Sequence, residues 1–262
     1  MKKFGLIGYP LGHSFSQKYF TDKFEKEEIK DCEYKAFPLI NINELPELVN
    51  NNPNLCGLNV TIPYKIGVQY YLDKISESAK EIDAVNCIKI TYPNSLSGLF
   101  DGELILTNAH KPFLEGHNTD AYGFENSLKP LLKKHHTKAL ILGNGGATRA
   151  VKYVLNKLEI DFKIVSRQHH HDMITYNQIT QKLLESYSII INTTPIGTFP
   201  NVNECPDIPY QYLGKKHLLF DLIYNPEETT FLRKGKEQGA SIKNGYEMLI
   251  LQAEKSWEIW NS

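Results

Sequence analysis

The chain has 262 residues, and its 29 basic and 30 acidic side chains leave a formal net charge of -1. The length predicts two modest domains with enough apolar content for a core, and near-neutrality without a long basic run argues against nucleic acid as the main partner. The apolar run in Met1–Gly8 is too short for a signal sequence and no later run approaches a membrane span, so a cytoplasmic protein without a membrane partner is expected.

Lys3–Gly8 reads as a short buried strand and Tyr9–Gly12 as a turn. An amphipathic helix follows, with apolar positions at Phe15, Tyr19, Phe20 and Phe24. Ser14 or Ser16 suits its N-cap, and two serines after a glycine turn also make a helix-entry site for an anion. A second strand is expected over Glu33–Leu39, a short helix over Asn43–Val49 and a third strand over Leu55–Ile62. Pro63 cannot donate to a ladder and stops that strand, which leaves Asn59, Thr61 and Lys65 at or near one rim. An amide, a hydroxyl and an ammonium there suit a small polyhydroxylated ligand; the plainer alternative is a solvated strand end. Glu77–Ile82 reads as a helical turn, and Asn86 opens another apolar strand that runs to Ile90. Thr91–Glu115 is rich in breakers and is expected to be an elaborated hairpin, with a possible strand over Glu103–Thr107. Gly116–Phe124 returns a polar cluster before a helix bearing Phe124, Leu128, Leu131 and Leu132. Asp120 reads there as a helix cap or as a ligand group where two domains meet.

The second half opens on an apolar strand, Lys138–Leu142, that runs into Gly143-Asn144-Gly145-Gly146-Ala147 and then into a helix carrying Ala150, Val151, Val154, Leu155 and Leu158. Strand, glycine turn and helix in that order are the context of dinucleotide binding, in which backbone amides approach a pyrophosphate. The pattern departs from GxGxxG, since Thr148 stands at the third glycine position. The next strand, Phe162–Val165, ends at Ser166-Arg167, where arginine points to NADP and an acidic residue would point to NAD. Gln168-His169-His170-His171 follows, and because consecutive side chains converge poorly on one ion, no metal site is assigned. Ser188–Gly197 and Leu218–Pro226 read as buried strands with polar exits, Thr229–Gln238 as a helix ended by Gly239. A C-terminal helix after Asn244-Gly245-Tyr246 carries Met248, Leu249, Leu251, Trp257 and Trp260, with Gln252 as a polar residue in need of partners. The cysteines Cys32, Cys56, Cys87 and Cys205 lack CxxC spacing and read as reduced core thiols.

In order along nearly the whole chain, Ser14-Phe15-Ser16, Asn59-Val60-Thr61-Ile62-Pro63-Tyr64-Lys65, Ala84-Val85-Asn86, Asn118-Thr119-Asp120, Gly143–Ala147, Asn192-Thr193-Thr194-Pro195 and Gly245–Leu249 with Gln252 resemble shikimate dehydrogenases. The resemblance implies an α/β fold: a substrate domain at 1–120 completed by 240–262, a Rossmann-type NADP domain at 121–239, and a C-terminal helix returning to the first domain. It implies NADPH-dependent reduction of 3-dehydroshikimate to shikimate by a monomer or homodimer. Carried over, Ser14 and Ser16 would bind the substrate carboxylate, while Asn59, Thr61, Asn86, Asp120 and Gln252 would surround the ring hydroxyls, with Tyr224 a further contact. Lys65 and Asp120 would be the catalytic pair, either able to serve as base in the oxidative direction. Gly143, Asn144, Gly145, Gly146, Ala147, Ser166, Arg167 and Thr193 would hold NADP, with the backbones of Leu222 and Gly245 at its nicotinamide end. Two features depart from the family: residues 91–115 are longer than its short hairpin, and Ser166-Arg167-Gln168 replaces a frequent Asn-Arg-Thr cluster. The alternatives are a quinate/shikimate dehydrogenase using NAD, and a non-catalytic nucleotide-binding regulator, which would have no use for Lys65 and Asp120.

Overall fold

The computed structural model describes the chain except for residues 13–14, 93–98, 101–102, 105–110 and 169–170. It separates into two units, Met1–Asn118 with Ser256–Ser262, and Thr119–Lys255. The C-terminal helix therefore begins in the second unit and ends in the first. Among the described residues no helix is long and apolar enough to cross a membrane.

The first unit contains β1 (Lys2–Gly8), α1 (Phe15–Lys26), β2 (Cys32–Pro38), α2 (Leu45–Asn50), β3 (Leu55–Val60), β4 (Lys74–Ile75), α3 (Glu77–Ile82), β5 (Cys87–Thr91), β6 (Leu99–Phe100), β7 (Glu103–Leu104) and β8 (Phe113–His117). Its sheet has the order β2-β1-β3-β5-β8-β4. β1 runs parallel to β2 and β3, whereas β5 is antiparallel to both β3 and β8. β5 and β8 are thus the arms of the expected hairpin, and β6 pairs with β7 as a separate ribbon between them. Residues 105–107 of the strand expected from Glu103 lie outside the described residues.

One face of this sheet is closed by aromatic packing. Phe20 and Phe24, one turn apart on α1, are buried. The Phe4 ring lies 5.2 Å from that of Trp257 and 5.0 Å from that of Trp260. Gly57 makes this possible, because a Cβ there would come within 2.3 Å of the Trp260 ring. The Trp260 indole also donates to Ile88 O at 3.0 Å, so the last turns of the C-terminal helix are part of the first unit's core.

The second unit contains α4 (Asp120–Leu128), β9 (Lys138–Leu142), α5 (Gly146–Lys157), β10 (Asp161–Ser166), β11 (Met173–Thr175), α6 (Gln181–Ser186), β12 (Ile189–Asn192), β13 (Leu218–Asp221), α7 (Thr230–Glu237), β14 (Ser241–Lys243) and the start of α8 (Tyr246–Asn261). Its strands pair in parallel in the order β11-β10-β9-β12-β13-β14. Renumbered within the unit this is 3-2-1-4-5-6, the dinucleotide-binding order, whose direction reverses between β9 and β12. Two local expectations are corrected. α4 ends at Leu128, before the Pro130-containing turn Lys129–Leu131, so Leu131 and Leu132 lie beyond it. Thr119 takes the N-cap position and Asp120 is the first helical residue, so Asp120 does not cap.

At the amino edge of this sheet His136, 6% exposed, has Nδ1 accepting from Lys133 N–H at 3.0 Å and Nε2 at 3.2 Å from Lys216 O. A backbone donor at Nδ1 fixes the neutral tautomer, and protonation would set donor against donor. Burial, against a bond to Lys216 O that favours the charged form, holds its pKa below the ordinary 6.5. As pH falls below about 6.5 the unfolded chain takes up a proton that the folded chain refuses, so this stabilisation is complete above that pH and lost below it. On lowering the pH from 7 to 5.5 the thermal midpoint of His136→Gln should rise relative to that of wild type, because only wild type loses this stabilisation there. A difference between the two midpoints that stays the same across that range would contradict the assignment.

Candidate functional site

Strand register gathers the polar residues of the first unit on one rim. Val60 pairs with Ile7, Asn59 with Cys87, and Cys87 with His117. Thr61, Asn86 and Asn118, each one residue outside these pairs, therefore sit at the same edge of three adjacent strands. The backbone continues the ladder there: Thr61 N–H donates to Ile7 O at 2.9 Å, Val60 N–H to Asn86 O at 2.8 Å and Asn86 N–H to His117 O at 3.0 Å. Lys65 follows the Pro63 break and is half-buried. Its position is held from both sides: its carbonyl accepts from Val85 N–H at 2.8 Å, and the neighbouring Tyr64 is buried with its hydroxyl donating to Leu39 O at 2.7 Å.

Below the rim a buried polar chain joins α1, β2, β3 and the end of α8. The Tyr34 hydroxyl, pushed to a high pKa by burial, is hydrogen-bonded to Ser16 and donates to Asn59 Oδ1 at 2.8 Å. Asn59 Nδ2 donates to Ser256 Oγ at 2.9 Å and to Asn86 O at 3.5 Å. The amide that the resemblance assigns to a substrate hydroxyl is thus engaged by three protein groups and braces the rim. Ser16 lies in the first turn of α1, inside the helix and not at its cap, and Ser14 lies outside the described residues.

In the second unit the glycine turn sits at the reversal point of the sheet. Gly143 has φ +109°, and a Cβ there would approach Thr194 Cγ2 to 2.8 Å and Thr193 Oγ1 to 2.9 Å, so only glycine fits. Gly145 and Gly146 face open space, and α5 begins there without a side-chain cap and without an acidic residue in its first turn. Uncapped amide groups beside an open approach suit an anion. Thr148 explains the departure from the glycine pattern. Its hydroxyl lies 3.2 Å from Gly143 O and 2.9 Å from Thr193 Oγ1, which itself donates to Leu142 O at 2.8 Å. The turn is thereby tied to the exit of β12. A cavity of about 460 Å³ runs from Gly143 and Gly145 past Thr193 to Ser166, Arg167 and Tyr176.

The exits of β12 and β13 are organised by Asp221, which is fully buried. Its carboxylate accepts from Thr229 Oγ1 at 2.6 Å, Asn192 Nδ2 at 3.0 Å and Ile223 N–H at 3.1 Å. Burial outweighs these bonds and pushes its pKa up to about 6. Asn192 in turn accepts from Thr194 N–H at 3.0 Å, so one buried pair fixes the loops that bear Thr193 and Leu222. Gly245 meets the second loop closely: a Cβ there would lie 2.1 Å from Leu222 O. Half-buried Tyr224 follows on the same loop, its hydroxyl pKa raised by burial. Gly123 allows α4 to touch α8, where a Cβ would lie 2.4 Å from Met248 O and 3.2 Å from Gln252 N. Asp120 and Gln252 therefore belong to two helices of the second unit that meet at Gly123, whereas Thr61, Lys65 and Asn86 belong to the first unit.

Residues 6–88 match the family model described as the shikimate dehydrogenase substrate binding domain. The protein named shikimate dehydrogenase (NADP(+)) from Methanococcus vannielii is 34% identical over 277 residues, which cover 98% of this chain and 90% of that protein. The chain belongs to the shikimate dehydrogenase family. Its fold agrees with a chorismate mutase/shikimate 5-dehydrogenase fusion protein from Clostridium acetobutylicum at a TM-score of 0.80 and 34% identity, covering 99% of this chain and 91% of that one. A Thermus thermophilus shikimate 5-dehydrogenase solved in complex with NADP(H) and shikimate aligns at a TM-score of 0.79 and 25% identity, covering 99% and 93%.

The second unit fits the dinucleotide that this family uses. Open glycines at an uncapped helix start suit a pyrophosphate, and a cationic side chain stands where β10 leaves the sheet. Among the described residues no group of three His, Cys, Asp or Glu side chains is placed to hold a metal ion. His169 and His170 lie outside the described residues. Sequence reasoning missed Thr148, Tyr176, Asn192 and Asp221 as parts of the site. Asn192 and Asp221 each end an apolar strand, and a polar residue at that point was the available signal.

Proposed function

We infer that this chain catalyses the reversible reduction of 3-dehydroshikimate to shikimate with NADPH. The observation that carries the reading is the gathering of Thr61, Asn86 and Asn118 on one rim with Lys65 anchored beside it. Bound NADPH supplies a hydride to the ketone carbon. As charge grows on the ketone oxygen, the Lys65 ammonium stabilises it and delivers the proton, which favours the transition state over the ground state. Asp120 is the carboxylate partner of Lys65 in this reading. Ser14 and Ser16 take the substrate carboxylate, while Asn59, held by Tyr34 and Ser256, surrounds the ring hydroxyls together with Thr61, Asn86, Asp120 and Gln252, and Tyr224 is a further contact. The cofactor side is Gly143–Ala147 for the pyrophosphate, with Thr193 beside it, Ser166 and Arg167 for the 2'-phosphate, and the backbones of Leu222 and Gly245 at the nicotinamide. The reading also includes a cytoplasmic enzyme acting as a monomer or homodimer.

A cationic Arg167 and no acidic residue at the end of β10 favours NADP over NAD, and with it shikimate over the quinate alternative. A spectrophotometric comparison of shikimate and quinate with NADP+ and NAD+ tests this. The shikimate and NADP+ pair should give the highest kcat/KM of the four. A preference for quinate with NAD+ would move the chain to the alternative class, and no reduction with any pair would leave only a nucleotide-binding regulator.

A further inference from the structure

We propose that Tyr176 forms the adenine wall of the cofactor cavity, its ring taking the flat face of the base while Arg167 takes the 2'-phosphate. This rests on the NADP reading above. The cavity has two ends, and the glycine turn at Gly143 and Gly145 belongs to the pyrophosphate. The adenosine must then lie toward Val165, Ser166, Arg167 and Tyr176, the outer strands β10 and β11. Register places Tyr176 there: Ser166 pairs with Thr175, so Arg167 and Tyr176 are the first residues beyond the pairing on adjacent parallel strands.

Tyr176 is built in and does not hang from a loose loop. Thr175 N–H donates to Gln178 Oε1 at 2.8 Å, closing a capping box around the turn, and Ile179 N–H donates back to Tyr176 O at 3.1 Å. The ring is half-buried against the core cluster of Leu142, Val165 and Ile179 while lining the cavity. Burial holds the proton on its hydroxyl, against the opposing pull of the Arg167 charge, and both residues line the same cavity. A flat, fixed aromatic face next to a guanidinium is what an adenosine 2'-phosphate needs, one group for the base and one for the phosphate. A stacking face reads every base by its π surface, so its contribution is the same for NADP+ and NAD+. Arg167, by contrast, separates the two.

Isothermal titration of the whole chain with NADP+, NAD+ and adenosine 2',5'-bisphosphate tests the proposal. Tyr176→Ala should weaken all three by about tenfold, and Tyr176→Phe should leave all three within about twofold of wild type. Tyr176→Leu, which keeps apolar bulk against the core but loses the flat face, should behave as the alanine variant does and covers the case in which that variant does not fold. Wild-type affinity in both the alanine and leucine variants would overturn the proposal. So would a loss shared by Tyr176→Phe and confined to the 2'-phosphorylated ligands, which would make the hydroxyl a phosphate donor. A wild-type chain that binds neither NADP+ nor the bisphosphate would instead sink the NADP reading itself.

Discussion

Lys65→Ala should lower turnover by on the order of a thousandfold while NADP+ affinity stays within about twofold of wild type. The size follows from the proposed role of Lys65, since the substitution would remove both the proton donor and the cation that meets the growing oxyanion. The selectivity follows from where Lys65 sits. It belongs to the first unit, while the glycine turn, Thr193 and Arg167 belong to the second. The substitution also leaves the local structure its anchors, since the residue-65 carbonyl still accepts from Val85 N–H and Tyr64 still bonds Leu39 O. Steady-state rates in both directions, with calorimetry for the cofactor, separate the two quantities. Turnover within fivefold of wild type would remove Lys65 from the chemistry, and a matching loss of NADP+ affinity would point to a collapsed fold.

Arg167→Ala should weaken NADP+ binding roughly thirtyfold and leave NAD+ within about twofold, since charge-assisted bonds to a phosphate are among the stronger polar contacts and the 2'-hydroxyl of NAD+ makes none of them. The cavity is open to solvent, so the loss should shrink as salt is raised. The measurement is a pair of titrations at low and high ionic strength. Equal losses for the two cofactors would mean that Arg167 shapes the cavity without reading the phosphate.

The parallel sheet of the second unit was legible because Ala139–Leu142, Ile189–Ile191 and Leu218–Phe220 are buried on both faces and carry unbroken apolar runs. β11 and β14 were not, since short strands at the sheet edges leave most of their residues half-exposed and show no pattern. The glycine turn was readable from its place between strand and helix. Thr148 was readable only as a departure from that pattern, because what it does depends on Thr193, brought to it by the pairing of β12 with β9. Asn59 shows the opposite limit. Its neighbours in the chain mark a strand end with ligand-like groups, yet its amide is engaged by Tyr34 and by Ser256, which lies 197 residues further along the chain. Local pattern locates the rim, and only tertiary structure shows which distant groups hold the Asn59 amide in place.

Transfer of label from the cofactor is the direct readout of hydride transfer by this chain. With NADPH deuterated at both C4 positions and 3-dehydroshikimate as acceptor, the shikimate formed should carry one deuterium, bound at the carbinol carbon, by mass and NMR spectra. Shikimate formed without deuterium, or cofactor oxidised with no labelled product, would contradict hydride transfer in this chain.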